Sequence, residues 1–151
     1  MNTTTPPQSS FETPRSAGKH VVLLVDDQPM VAEAVRRMLA TETNIVVHYC
    51  ANPTEAVDVA NQIRPTLILQ DLVMPNLNGL SLVRRFRSNP QTKTTPIIVL
   101  TTKEDSMFRK DAAASGANDY MVKLPDRLDL IARIRAFSGD YLLAAQSGPQ
   151  P

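Results

Sequence analysis

Short apolar runs rich in valine and isoleucine alternate along the chain with longer segments in which apolar residues recur at helical spacing. Runs of this length are typical of buried strands, and the intervening segments are long enough for crossover helices. The predicted strands occupy residues 21–25, 46–50, 67–70, 97–101 and 119–122. Because a helical segment follows each strand, the strands are expected to run parallel and to be joined by right-handed connections.

The first three helices have clear apolar faces or start signals. In the first helix the inward positions are Val31, Ala34, Val35 and Met38. Asn52, followed by Pro53 and Glu55, predicts a capped start for the second helix, whose inward positions are Ala56, Val57, Ala60 and Ile63. Gly79 opens the third, which is expected to bury Leu82, Val83 and Phe86 and to leave in solvent Arg84, Arg85 and Arg87.

The last two helices differ in how clearly the sequence marks them. The fourth, near 104–114, is rich in alanine and weakly patterned. The fifth follows Asp126 as N-cap, with Leu128, Ile131 and Ile134 predicted to be buried, and Gly139 is expected to weaken it or mark its end. The prediction is an α/β fold: a flavodoxin-like, doubly wound, five-stranded parallel sheet of order 2-1-3-4-5 in a three-layer α/β/α sandwich.

The two ends of the chain differ in composition from the middle. Residues 1–18 hold three apolar side chains against ten Ser, Thr or Pro, which predicts a disordered leader. One folded domain is expected over 19–138. Residues 139–151 are interpreted as a linker or a truncated C-terminal end.

Composition excludes several classes of function. Sixteen basic and 15 acidic residues give a net charge of +1, which does not favour nucleic-acid binding. One cysteine and two histidines cannot form an intrachain disulfide or a four-ligand zinc site. The longest apolar run, 21–25, is far shorter than the roughly 20 residues of a membrane span. A cytoplasmic protein without membrane partners is therefore expected.

Polar residues stand where four of the predicted strands end. Asp26 and Asp27 follow the first strand, Asp71 the third, Thr101 ends the fourth and Lys123 follows the fifth. In a doubly wound sheet the carboxyl ends of the strands form the ligand crevice, so these side chains are expected to converge. The sequence thus predicts one polar site at this edge.

Three carboxylates against one ammonium leave an excess of negative charge that a divalent cation would balance. Oxygen ligands without a nearby His or Cys favour Mg²⁺, which is commonly completed by a phosphate oxygen. Asp71 could then attack phosphorus and form an acyl phosphate, while Lys123 and the Thr101 hydroxyl stabilise the phosphoryl oxygens. Phosphoryl transfer is the chemistry that this arrangement favours.

Four motifs together resemble the receiver domains of bacterial two-component response regulators, which have the CheY-like fold. They are Val-Asp-Asp at 25–27, Asp-Leu-Val-Met-Pro at 71–75 with Gly79, Thr101 after Ile-Ile-Val-Leu, and Gly-Ala-Asn-Asp-Tyr-Met-Val-Lys at 116–123. The resemblance implies that Asp71 is the phosphoacceptor. It also implies Mg²⁺ bound directly by Asp27 and the Val73 carbonyl and through water by Asp26, and a switch pair of Thr101 and Tyr120.

The resemblance further implies a sensor histidine kinase or phosphotransfer protein as partner, and readout through the fourth helix, fifth strand and fifth helix by an output domain or by self-association. The local sequence around Asp71 and the segment Val-Lys-Leu-Pro-Asp at 122–126 are similar to the receiver of Wsp-type diguanylate cyclases. The family usually has proline directly after the lysine, whereas here Leu124 intervenes. A trans Lys123–Leu124 peptide is therefore expected.

Other functional classes remain open at this stage: a stand-alone receiver that acts by protein–protein contact, a pseudo-receiver scaffold without phosphorylation, and an aspartyl-phosphate hydrolase. The hydrolase would want a carboxylate two residues after the nucleophile, where this chain has Val73. Val73 and Lys103 are predicted to flank the mouth of the site, and the apolar Val73 predicts slow loss of a phosphoryl group. No function is assigned to His20, His48 or Cys50.

Overall fold

The structure is a computed structural model that describes residues 19–75, 77–102 and 106–146. The predictions for the leader at 1–18, for Lys103, for the start of the fourth helix at Glu104 and for the end of the chain after Gln146 lie outside the described residues.

Five strands and five helices alternate along the described chain. Counting the strands of the main sheet only, they are β1 His20–Val25, β2 Ile45–Cys50, β3 Leu67–Asp71, β4 Ile97–Thr101 and β5 Asp119–Val122. The helices are α1 Pro29–Met38, α2 Ala56–Ile63, α3 Gly79–Ser88, α4 Arg109–Ser115 and α5 Arg127–Gln146. Turns of 3₁₀ helix, Pro53–Glu55 and Ser106–Phe108, precede α2 and α4, and a small hairpin, Val73–Met74 with Leu77–Asn78, precedes α3.

The main sheet is parallel throughout, and its strand order is β2-β1-β3-β4-β5. The predicted order and the predicted doubly wound fold are therefore confirmed. β3 lies at the centre and is buried along its whole length, as expected for a strand that helices cover on both sides.

Each face of the sheet has its own apolar core. On one face β1 and β3 contribute Val22, Leu24, Leu67 and Leu69, which pack against α1 and α5. On the other face the alternate positions, such as Leu23 and Ile68, pack against α2 and α3. Because side chains of a strand alternate between its faces, two separate cores of this kind define three layers.

A buried polar cluster joins α5 to the start of β1. The Ser138 hydroxyl lies 2.7 Å from His20 Nδ1 and 2.7 Å from the Thr66 hydroxyl. Thr66 in turn accepts the Val21 N–H at 2.9 Å. Burial is the main cause that lowers the pKa of His20, and nearby Arg135 adds to it. We define these residues, His20, Thr66 and Ser138, as the hydroxyl–histidine cluster.

The fifth helix differs from its prediction in the burial of Leu128 and in its length. Asp126 caps it as expected, accepting the Asp129 N–H at 3.1 Å. Leu128, however, was predicted to be buried and is 68% exposed, whereas Leu130 is fully buried. At 3.6 residues per turn, Leu128 lies roughly a third of a turn from the centre of the face shared by Leu130, Ile131 and Ile134. The helix also continues through Gly139 to Gln146.

Arg87 is not the solvent-facing residue that the helical pattern predicted. It is half-buried and donates to the carbonyl oxygens of Gly116 and Thr95 at 2.9 and 2.7 Å, and to Asn118 Oδ1 at 2.8 Å. Burial lowers the pKa of its guanidinium. The guanidinium thus joins the end of α3 to the turns that precede β4 and β5.

The backbone directly after β5 has an unusual conformation at Leu124. The Lys123–Leu124 peptide is trans, as predicted. Leu124 has a φ of 55°, in the left-handed region that a non-glycine residue rarely adopts.

Among the described residues no helix is long and apolar enough to cross a membrane.

Candidate functional site

The polar residues predicted from the strand ends lie at one edge of the sheet. Asp71 is the last residue of β3 and Thr101 the last of β4, while Asp26 and Lys123 come directly after β1 and β5. Leu100 pairs with Asp71, so Thr101 extends one residue beyond it. The parallel register therefore assembles the site without any long loop.

The three aspartates form one cluster. Carboxylate oxygens of Asp26, Asp27 and Asp71 all lie within 4.8 Å of one another. Asp26 and Asp71 are buried, whereas Asp27 is half-buried at the mouth of the site. Like charges this close oppose one another's ionisation unless a cation is near.

Lys123 supplies a positive charge to this cluster. Its Nζ lies 3.1 Å from Asp71 Oδ2 and 3.4 Å from Asp26 Oδ2, and its side chain is only 14% exposed. The nearer contact is a hydrogen bond, whereas the one to Asp26 is an ion pair without hydrogen-bond geometry. One ammonium faces three carboxylates, so the cluster keeps an excess of negative charge.

The pKa values of the two buried aspartates reflect this balance. The pKa of Asp71 is raised to about 6: burial is the largest cause and repulsion by Asp26 adds to it, while Lys123 and the Val73 N–H act against the rise. Burial likewise raises the pKa of Asp26, against the Gln28 N–H and Lys123. A carboxylate with a pKa near 6 is still mostly ionised at neutral pH, so Asp71 can act as a nucleophile there.

The donor set fits Mg²⁺. All the clustered side-chain atoms are carboxylate oxygens, the ligand type that this ion prefers. Asp26 Oδ2 is buried and, apart from the 3.4 Å ion pair with Lys123, has no hydrogen-bond partner, so a water bound to the ion would supply the hydrogen bond that it lacks. The Val73 N–H donates to Asp71 Oδ1 at 3.3 Å, so the backbone at Val73 lies against the same carboxylate. The role of the Val73 carbonyl as a ligand stays a prediction.

The loop that carries Val73 is held by close backbone packing. A Cβ at Gly79 would lie 2.2 Å from the Leu72 carbonyl oxygen, so only glycine fits where α3 begins. Gln70, fully buried in the centre of the sheet, donates from Nε2 to the Gly79 carbonyl at 2.9 Å. These contacts fix the chain on both sides of Asp71.

Thr101 and Tyr120 lie on the same face of the sheet. Tyr120 pairs with Val99, two residues before Thr101, and strand side chains two apart point the same way. The Thr101 hydroxyl donates to the Thr102 carbonyl at 3.2 Å, and Tyr120 is half-buried with the Arg109 guanidinium 4.3 Å from its ring centroid. The arrangement agrees with the predicted pair, whose switching role stays a prediction.

Sequence reasoning missed Gln28. Its Oε1 accepts from Lys123 Nζ at 2.7 Å, although the two residues are 95 positions apart. A glutamine at the start of a helix is usually solvated, and only the folded sheet brings it to the lysine. No local sequence signal could have identified this contact.

Comparison with known proteins identifies the family. Residues 22–135 match the response regulator receiver domain, and the chain belongs to this family. Receiver domains generally are signalling modules of two-component systems rather than enzymes.

Two curated relatives differ in how much of them the chain covers. Identity to the response regulator ArlR of Staphylococcus saprophyticus is 37% over 76% of this chain and 50% of ArlR. Identity to the protein PilH of Pseudomonas aeruginosa is 32% over 76% of this chain and 94% of PilH. The chain thus spans half of one relative and almost the whole of another.

Solved structures agree with the fold. A response regulator of Chloroflexus aurantiacus superposes with a TM-score of 0.74 at 30% identity, covering 80% of this chain and 98% of that one. The receiver domain of the sensor histidine kinase PA1611 of Pseudomonas aeruginosa gives a TM-score of 0.71 at 30% identity, with 80% and 98% covered. That structure has a magnesium ion coordinated in its active-site cleft.

Proposed function

We propose that this chain is a phosphoacceptor that takes a phosphoryl group onto Asp71 from a sensor histidine kinase or a phosphotransfer protein, with Mg²⁺ in its acidic cluster. One observation carries the proposal. Lys123 donates a hydrogen bond of 3.1 Å to Asp71, whose carboxylate lies in a cluster with those of Asp26 and Asp27. An aspartate buried solely for packing would not need three other charged groups around it.

In the proposed reaction an Asp71 carboxylate oxygen attacks the phosphorus of a phosphohistidine. The phosphorus–nitrogen bond breaks, and the imidazole leaves with the electron pair and takes up a proton, so that an acyl phosphate forms on Asp71. Asp71 must be ionised to attack, and Lys123 favours that form. After transfer the Lys123 ammonium is within reach of a phosphoryl oxygen, and the Thr101 hydroxyl can turn to donate to another.

The residues that would hold Mg²⁺ are Asp27, Asp71 and the Val73 carbonyl directly and Asp26 through water. When bound, the ion supplies positive charge to the phosphoryl oxygens. The protein's own part is to orient Asp71 and to oppose its protonation, which the Val73 N–H does at Oδ1 and Lys123 at Oδ2.

For the readout we propose movement of Thr101 and Tyr120 that alters the surface of α4, β5 and α5. Arg133 connects α5 to β5: it forms an ion pair with Asp119 at 2.7 Å and donates to the Tyr120 carbonyl at 3.1 Å. A change at Tyr120 can therefore reach α5 through one guanidinium. The partner that reads this surface would be an output domain or a second copy of the chain.

The proposal of a diguanylate cyclase as output domain rests solely on the local sequence similarity around Asp71 and at 122–126. The course of α5 to Gln146 is compatible with a helix that leads into a following domain. A stand-alone receiver in the cytoplasm would use the same surface for a protein partner. The open reading frame after Pro151 distinguishes these two versions of the proposal.

The test is phosphorylation of the full chain by acetyl phosphate, followed by mass spectrometry of the intact protein and its peptides. We expect one phosphoryl group on Asp71, dependent on Mg²⁺ and abolished by EDTA. Asp71→Asn should remain unlabelled. Asp58→Asn, at an exposed acidic position on α2, serves as the matched control and should label like the wild type.

Absence of label on the wild-type chain, from acetyl phosphate and from a histidine-phosphorylated phosphotransfer protein alike, would support the pseudo-receiver alternative. Label at another residue, or label that persists without divalent cations, would show that the assigned site is wrong.

A further inference from the structure

Gln28 occupies an unusual position for a helix-capping residue. It is the N-cap of α1, with φ −101° and ψ 109°, yet its side chain makes no hydrogen bond to the helix. An N-cap side chain ordinarily accepts one of the unpaired N–H groups of the first turn. The amide of Gln28 is directed instead to the polar site.

Both ends of Gln28 contact the site. Its backbone N–H donates to Asp26 Oδ1 at 2.8 Å, and its side-chain Oε1 accepts from Lys123 Nζ at 2.7 Å. One residue therefore touches a predicted ligand of the metal and the cation that faces the phosphoacceptor.

The ammonium of Lys123 has three N–H groups; among the described residues it donates hydrogen bonds to two side chains and forms an ion pair with a third. Gln28 is the nearest at 2.7 Å, followed by Asp71 at 3.1 Å and Asp26 at 3.4 Å. A lysine side chain has several rotatable bonds, so its head group needs such contacts to stay in one place. The contact to Gln28 is the shortest of the three.

We infer that Gln28 is a positioning residue that holds the Lys123 ammonium over Asp71 during phosphoryl transfer. The inference rests on the proposed function. In the reaction the Asp71 oxygen becomes part of an acyl phosphate, so the contact of Lys123 with that oxygen has to be exchanged. The contact with Gln28 involves no reacting atom and can persist throughout.

The chemistry of an amide suits this role. Gln28 is neutral, so it anchors the ammonium without adding negative charge that would repel an incoming phosphoryl group. A carboxylate in the same place would hold the lysine more strongly but would weaken its attraction for phosphoryl oxygens.

Gln28→Asn separates positioning from helix capping. Asparagine is one of the best N-cap residues, so this variant keeps or improves the start of α1, but its side chain is one methylene shorter and cannot reach Lys123 in the same backbone position. Gln28→Met removes the acceptor at nearly constant length. Met30→Ala, at an 82% exposed position on the same helix, is the matched control.

The main measurement is the rate constant of Asp71 phosphorylation by acetyl phosphate at saturating Mg²⁺. We expect a fall of about tenfold in Gln28→Asn and Gln28→Met, the scale set by loss of one hydrogen bond to a charged group. Calorimetry should give an unchanged Mg²⁺ affinity, and the thermal midpoint of Gln28→Asn should not fall. Met30→Ala should match the wild type in all three measurements.

A spectroscopic measurement follows Lys123 without any reaction. With the lysine side chains labelled with ¹⁵N, the ammonium group of Lys123 should give an ordered signal in the wild type and a mobile one in Gln28→Asn. Wild-type phosphorylation rates and an equally ordered Lys123 in Gln28→Asn would overturn the inference. A parallel fall in rate, Mg²⁺ affinity and thermal midpoint would also overturn it, because it would indicate a structural role.

The two proposals can fail separately. If the wild-type chain is not phosphorylated, the proposed function fails, and the Lys123 signal still decides whether Gln28 holds the ammonium. If the wild type is phosphorylated on Asp71 and Gln28→Asn reacts equally fast, the inference alone fails.

Discussion

Asp71 and Lys123 are 52 positions apart in the chain, and their side chains form a hydrogen bond of 3.1 Å across the end of an intervening strand. Asp71 ends β3 and Lys123 follows β5, with β4 between them. The bond therefore depends on the register of three strands at once. A slip of one residue in β3 would turn Asp71 toward the opposite face and remove it from the site.

Asp71 is expected to cost stability at neutral pH when no metal is bound. Its pKa is raised to about 6 from 3.8, so the folded state holds the proton more tightly than the unfolded state. Protonated Asp71 therefore stabilises the folded state. This contribution to the free energy of unfolding is fully present below about pH 4, is lost as the pH rises through about 6, and amounts to at most about 3 kcal/mol. Asp71→Asn should therefore raise the free energy of unfolding at pH 7 and flatten its decline from pH 4.

Urea unfolding in EDTA across that pH range measures the difference between the two proteins. The pKa of Asp26 is also raised, but this residue is present in both proteins and cancels to first order. Parallel stability curves for wild type and variant would contradict the assigned pKa. Mg²⁺ should stabilise the wild type more than the variant, because the variant lacks one carboxylate ligand.

Leu124→Gly is expected to raise the free energy of unfolding by about 1 kcal/mol, because a left-handed φ of 55° costs a residue with a Cβ roughly that amount. The leucine side chain is 59% exposed, so little burial is lost. Leu124→Ala is the control, since it trims the side chain but keeps the strained backbone. Thermal unfolding of both variants checks the prediction, which fails if glycine gives no gain over alanine.

Val73→Asn should shorten the lifetime of the phosphoryl group severalfold. Val73 is exposed beside Asp71 and offers an attacking water no polar partner, whereas an asparagine amide could orient one. Decay of the phosphoprotein after removal of the donor is the measurement. Val73→Leu, which changes volume but adds no polar group, should leave the lifetime long. An unchanged half-life in Val73→Asn would refute the assignment of Val73 to the mouth of the site.

Beryllofluoride, a phosphoryl mimic, is expected to shift the chain from monomer toward dimer through α4, β5 and α5. The shift cannot exceed the difference in affinity of the mimic for the two conformations. Light scattering at high micromolar concentration, with Asp71→Asn as the control, gives the mass. An unchanged mass in a sample shown to bind the mimic would exclude self-association as the readout of this chain.

The sequence predicts the sheet and the residues at its strand ends because both depend on short-range patterns. Buried strands read as apolar runs, and the next residue after each run is the one at the carboxyl edge. The convergence of Asp26, Asp71, Thr101 and Lys123 could therefore be predicted from the sequence. Their separations could not, since these depend on strand register and side-chain rotamers.

Errors arise where tertiary contacts override the helical pattern. Arg87 sits on the polar side of α3 by pattern, yet backbone carbonyls after the helix surround it and satisfy its guanidinium. Leu128 is apolar but points away from the buried face of α5, so it stays exposed. Gly139 lowers helix propensity by only about 1 kcal/mol, which the contacts of neighbouring turns outweigh. The side chain of Gln28, at the start of α1, contacts Lys123 after β5, and no local sequence pattern indicates this contact.

The hydroxyl–histidine cluster limits how α5 can move. Rotation of α5 about its own axis would pull Ser138 from both His20 and Thr66 and leave buried polar atoms without partners, each costing about 1–3 kcal/mol. Near Ser138 the helix is therefore anchored to β1 and to the residue before β3. In the proposed readout, a change at Asp71 displaces the first turns of α5, around Arg133, or carries the helix together with the sheet, because rotation of the helix alone would break both of these hydrogen bonds. The direction of the last turns of α5 is thus set by its anchor at His20 and Thr66.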